Sequence, residues 1–123
     1  MGALAGQFHA CPIAVPAQTL DHILVDESIG RVDVLKVDVE GFERAVFQGA
    51  KRLLTSDDAP VILFEFCDWA EARMPGGEVG DAQRVLRGYG YKMQRLSDFV
   101  RGRRKPLKDV IVKGFGMLVA VRP

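Results

Sequence analysis

Cysteine is scarce in this chain: two in 123 residues, Cys11 and Cys67, far apart in sequence. Two isolated thiols form neither a disulfide framework nor a metal-like cluster, and they predict reduced cysteines in a cytoplasmic protein. Histidine is equally sparse, and neither His9 nor His22 has a partner spacing that argues for ligation or catalysis. No apolar run approaches the roughly 20 residues that cross a bilayer. The opening Met1 to Gly6 lacks the basic start and long apolar stretch of a secretory signal. An excess of one charge is also missing, since 17 Lys and Arg face 16 Asp and Glu for a net +1. That balance argues against binding nucleic acid through overall charge. What is present is 48% hydrophobic and 27% charged residues, enough for the core of one small α/β domain and no more.

Local patterns place the elements. Residues 1–18 read as an irregular lead-in, with Ile13 to Val15 a short strand candidate stopped by Pro16. Thr19 is a candidate N-cap for a short helix, Leu20 to Val25, with Asp21 in its first turn. Val32 to Asp38 predicts a strand and Gly41 to Leu54 one continuous helix. Phe42, Ala45, Val46, Ala50, Leu53 and Leu54 form its expected apolar stripe, with Glu43, Arg44 and Gln48 on the polar side. Val61 to Phe66 is nearly all apolar, as in a parallel strand covered on both faces. Val79 to Tyr89 predicts a second helix that stops at Gly90. Tyr91 to Leu96, Val110 to Val112 and Gly116 to Val121 are strand candidates, and Arg101 to Lys108 is a basic loop. Strand, helix, strand, helix, strand in this order predicts a three-layer α/β fold.

The stretch Val32 to Gly41, Val-Asp-Val-Leu-Lys-Val-Asp-Val-Glu-Gly, is the strongest pointer to a site. An apolar strand ends in Asp38 and Glu40, and Gly41 then turns the chain towards a helix. Ligands of open parallel sheets bind beyond the carboxyl ends of the strands. Asp38 and Glu40 therefore read either as groups that bind or deprotonate a ligand or as a helix cap and a first-turn acid. Glu65 lies near the end of the next apolar strand. It faces the same crevice if the two strands end together, or it pairs with Lys36.

Thr19-Leu20-Asp21, the core Leu35-Lys36-Val37-Asp38-Val39-Glu40-Gly41-Phe42-Glu43, and Val46 with Gly49-Ala50 together resemble the FkbM family of methyltransferases. The strand ending in Glu65 fits the same pattern, and Phe47 and Gln48 replace the family's more usual Leu-Lys. The resemblance covers roughly residues 15 to 70 well. It implies a Rossmann-like class I fold, S-adenosylmethionine as cofactor, and methyl transfer to a hydroxyl of a small molecule or sugar. Asp38, Glu40 and Glu65 become its catalytic candidates. The family's upstream half carries a glycine-rich turn of Asp-x-Gly-x-x-x-Gly type, and residues 1 to 30 hold no match to it. Residues 19–123 are therefore expected to be the C-terminal part of such a domain, contributing its fourth to seventh strands, with an antiparallel strand near the end. The strand Val32 to Asp38 would then keep an open edge, which favours self-association. The rival expectation is a non-catalytic remnant that binds a partner through that edge.

Other residues carry weaker signals. Asp38, Glu40, Glu65 and Asp68 contain enough oxygen ligands for a hard divalent ion, but the spacing matches no dedicated metal motif, and none is expected. Phe66 and Trp69 read as acceptor-pocket walls or as core. The basic run Arg101 to Lys108 reads as a solvated loop or as a steering patch for an anionic acceptor. It lacks the interleaved aromatics of a nucleic-acid site.

Overall fold

The computed structural model describes residues 11–123. In chain order the elements are α1 Leu20–Asp26, β1 Val34–Val37, α2 Glu43–Gln48, α3 Lys51–Leu54, β2 Val61–Cys67, α4 Asp68–Ala72, α5 Asp81–Gly88, β3 Lys92–Arg95, α6 Leu96–Val100 and β4 Phe115–Val121. The strands form one mixed sheet in the order β1-β2-β4-β3. β1 runs parallel to β2, with Val34 opposite Val61 and Val37 opposite Phe64. β4 lies antiparallel to both of its neighbours. His9 and the rest of residues 1–10 lie outside the described residues.

The core sits on one face of this sheet. Ile62, Phe64 and Phe66 of β2, with Leu118 and Ala120 of β4, pack against Phe47, Leu54, Ala82 and Leu86 from the helices. Phe47 and Phe64 meet edge to face, ring centroids 5.3 Å apart. Burial along β2 alternates, so Val61, Leu63 and Glu65 point to the other, half-open face. The expectation of a strand fully covered on both faces thus holds for one face only.

Thr19 caps α1 as its sequence predicts, with the His22 N–H donating to Thr19 Oγ1 at 3.3 Å. The single helix expected over 41–54 is instead broken at Gly49 and Ala50. α1 docks at the break. The Asp21 N–H donates to the Gly49 carbonyl, and the Asp21 carboxylate accepts the Arg52 and Leu53 N–H groups at 2.7 and 3.0 Å. A carboxylate from another helix thus caps the first turn of α3. The buried stripe is accordingly Glu43, Phe47, Ala50 and Leu54, while Phe42 and Ala45 face outwards.

Two expected strands are absent among the described residues. Ile13 and Val15 are exposed, 84% and 76%, and have no strand partner. Around Val110 to Val112 the backbone bonds to a side chain instead of a strand. Gln83 Nε2 donates to the Ile111 carbonyl at 2.8 Å, and Gln83 Oε1 accepts its N–H at 2.9 Å. That exchange explains why Gln83 is fully buried in α5.

The turn between β1 and α2 depends on Gly41. Its φ is +101°, and a Cβ there would lie 2.5 Å from the Ala70 carbonyl oxygen. The left-handed backbone and the contact with α4 both exclude a side chain. Gly41→Ala is expected to cost about 2 kcal/mol or more, whereas Gly76→Ala, also left-handed but in open space, should cost about 1 kcal/mol. Urea unfolding of the two variants measures the difference, and equal losses would contradict the packing role.

Candidate functional site

The register of β1 and β2 brings the predicted acids together. Val37 pairs with Phe64, so Asp38 follows β1 at the level of Glu65 in β2, and both project from the same face of the sheet. Glu40 completes the group. Carboxylate oxygens of Asp38, Glu40 and Glu65 all lie within 4.8 Å of one another. Asp38 and Glu40 are exposed, and Glu65 is half-buried.

The turn that presents these acids is held from within α2. The Glu43 carboxylate accepts the Val39 N–H at 3.2 Å, and the Phe42 N–H returns to the Val39 carbonyl. Glu40 sits between them with φ +52°, a left-handed conformation unusual for a residue with a side chain. The N-cap of α2 is Phe42, and no side chain caps that helix end. Asp38 is therefore not the helix cap that its position also allowed. Among the described residues no ion pair joins Glu65 to Lys36, which is exposed. Among the described residues neither the Asp38 cap nor the Glu65–Lys36 pair forms.

At this spacing Asp38 and Glu40 act on the Glu65 carboxyl. The Glu65 carboxyl is pushed above its ordinary value of 4.5, first by removal from water, then by the charge of Asp38 and a hydrogen bond with it, and further by Glu40 and Glu43. A carboxyl that keeps its proton to higher pH beside two further carboxyl groups is an arrangement suited to moving a proton or holding a cationic group.

Asp68 stands apart. Its oxygens accept the Trp69 N–H at 2.6 Å and the Gly114 N–H at 2.8 Å, so it fastens the loop before β4. Phe66 is core, 1% exposed, while Trp69 is 56% exposed with the Arg73 guanidinium 5.2 Å from its ring centroid. Cys67 is a buried free thiol and Cys11 an exposed one. Arg101, Arg103, Arg104, Lys105 and Lys108 are all exposed in the loop between α6 and β4.

A groove of about 700 Å³ runs along the unpaired edge of β1, between α1 and α2, and reaches Asp38. Thr19, Leu20, Leu35, Phe42 and Val46 line it. Two buried acids went unmarked in the sequence. Glu43 was expected on a polar face but is 2% exposed, and Glu71 of α4 is 6% exposed. Glu43 continues the buried stripe of Phe47, Ala50 and Leu54 and accepts the Val39 N–H, while Glu71 accepts the Gly80 N–H from the start of α5.

The four strands and the helices that cover them make a mixed α/β domain, with acids gathered at the ends of its two parallel strands. A family model for the FkbM methyltransferase domain matches residues 4–93, and the chain belongs to that family. No curated protein and no solved structure matches the chain.

Because the folded state raises the proton affinity of Glu65, the stability this group contributes is fully present below about pH 4.5 and is lost as pH rises through its raised value. Glu65→Gln should remove that loss, making the variant relatively more stable at about pH 8 than at about pH 4 when each is compared with the parent. Urea unfolding at both pH values checks it, and an identical difference at the two would contradict the raised value.

Proposed function

We propose that this chain supplies the acidic wall of an S-adenosylmethionine-dependent O-methyltransferase, acting on a hydroxyl of a small molecule or sugar. The observation that carries the reading is the convergence of Asp38, Glu40 and Glu65, with Asp38 also lining the β1-edge groove, in a member of the FkbM methyltransferase domain family. The parallel pair β1–β2 followed by an antiparallel β4 supports a Rossmann-like class I sheet, with residues 19–123 as its C-terminal part.

The fit to the cofactor is partial. The described residues offer a carboxylate and an apolar wall, but no glycine-rich turn of the Asp-x-Gly-x-x-x-Gly type. Contacts to S-adenosylmethionine are therefore assigned to no named residue here. That cofactor supplies an already activated methyl group, so the protein's task is chiefly alignment and removal of the acceptor's proton. Asp38, exposed at the groove, is the first candidate for the base. Glu40 is the second. Glu65, which holds its proton to higher pH, orients the acceptor as a hydrogen-bond donor.

A second reading rests on the same geometry, because three carboxylate oxygens within 4.8 Å of one another also match the reach of one hard divalent ion. A labelled-methyl transfer assay over a panel of hydroxyl acceptors, run with the complete enzyme, separates the two. Asp38→Ala should lower turnover at least about tenfold with the fold intact, and a change within about twofold would sink its assignment as base. EDTA should leave turnover unchanged, and a loss restored by magnesium would favour the metal reading.

A further inference from the structure

The charges of this chain balance overall but not locally. Residues 92–108 hold seven of its 17 Lys and Arg and one of its 16 Asp and Glu, so the remainder is net acidic. This basic stretch forms β3, α6 and the start of the following loop, at the sheet edge opposite β1. A groove of about 660 Å³ opens there, within the roughly 300–1,000 Å³ typical of small-molecule sites. Lys92 and Val121, which pair across β3 and β4, lie on the face that Met93, Leu118 and Ala120 turn away from. Phe99, Pro106 and Val121 give the groove exposed apolar surface, and Lys92, Arg103 and Arg104 are its charged residues. No acidic side chain lines it.

The loop that carries the two arginines is fastened to the sheet. The Leu107 N–H donates to the Met93 carbonyl at 2.7 Å, and the Arg103 N–H to the Asp98 carbonyl at 2.9 Å. Gln94 Nε2 donates to the Arg103 carbonyl at 3.4 Å. Among the described residues the one ion pair to any of the seven bases joins Arg103 to Asp98, at 3.7 Å. Three cations around one groove, with no carboxylate in its wall, repel cations and attract anions. Arginine also matches the planar fork of carboxylate and phosphate oxygens. An inorganic anion would leave the apolar surface wet, since Phe99 is 47% and Val121 37% exposed. A single-stranded nucleic acid fits poorly, because Phe99 is the one aromatic residue of the stretch and base stacking uses several.

We infer that this groove binds a small amphiphilic anion, a carboxylate or phosphate carried on an apolar body. Arg103, Arg104 and Lys92 hold the oxyanion, and the apolar body covers Phe99 and Val121. The site stands independently of the methyltransferase reading, since none of the three clustered acids lines it.

The test is an amide-shift NMR titration of the full chain with 2-naphthoate, with 2-naphthalenemethanol as the neutral control and inorganic phosphate as the control without an apolar body. Saturable shifts are expected at Gln94, Gly102 and Val121, with both controls at least about tenfold weaker. Raising NaCl from about 0.05 to about 0.5 M should weaken naphthoate and leave the alcohol unchanged. Arg104→Glu reverses the charge of an exposed side chain and should weaken naphthoate at least about tenfold. Phe99→Ser removes apolar surface while keeping every cation and should also weaken it. Equal binding of naphthoate and alcohol, or unchanged affinity in Arg104→Glu, would overturn the assignment. Absence of saturable shifts would overturn it too, and sedimentation of the chain with phosphatidylglycerol vesicles in that case would identify a bilayer surface as the partner instead.

Discussion

The parallel pairing of β1 with β2 is the constraint on which the rest of the site depends. Val37 opposite Phe64 sets the two strand ends level, and a one-residue slip would send Asp38 and Glu65 to opposite faces. In the observed register they share a face, and the Val39–Phe42 turn brings Glu40 back to them. The pairing is anchored by burial, since Ile62, Phe64 and Phe66 must point into the helix-covered core. Hydrophobic packing on one face thus fixes the placement of charge on the other.

The turn after β1 joins packing to chemistry. Gly41 permits close approach of Ala70, and Glu43 closes the turn through the Val39 N–H. Glu43 is therefore a positioning residue, holding the backbone between the two exposed acids while itself out of water. Its charge also adds to the upward pressure on Glu65 and on Glu71.

Much of this was legible locally. The Thr19 cap, the β2 run and the helix that stops before Gly90 follow from short-range pattern, and the structure keeps all three. Asp38, Glu40 and Glu65 could be placed at strand ends, and their convergence needed only that the strands be parallel and level. What escaped depended on distant partners. The helix break at Gly49 arises because Asp21, some thirty residues upstream, caps α3. The Val110 to Val112 segment fails to become a strand because Gln83 takes its backbone groups. α4 and its buried Glu71 follow β2 without a turn signal, and only tertiary packing shows that Glu71 is enclosed.

The central claim is that Asp38 and Glu40 converge on Glu65 and act together on its carboxyl. Carbon-detected NMR of the side-chain carboxyls across a pH titration measures this directly. Coupling predicts that Glu65 titrates above its ordinary value and that its curve moves down when Asp38 is replaced by Asn. Three independent curves at ordinary carboxyl values, with Glu65 indifferent to Asp38→Asn, would contradict it.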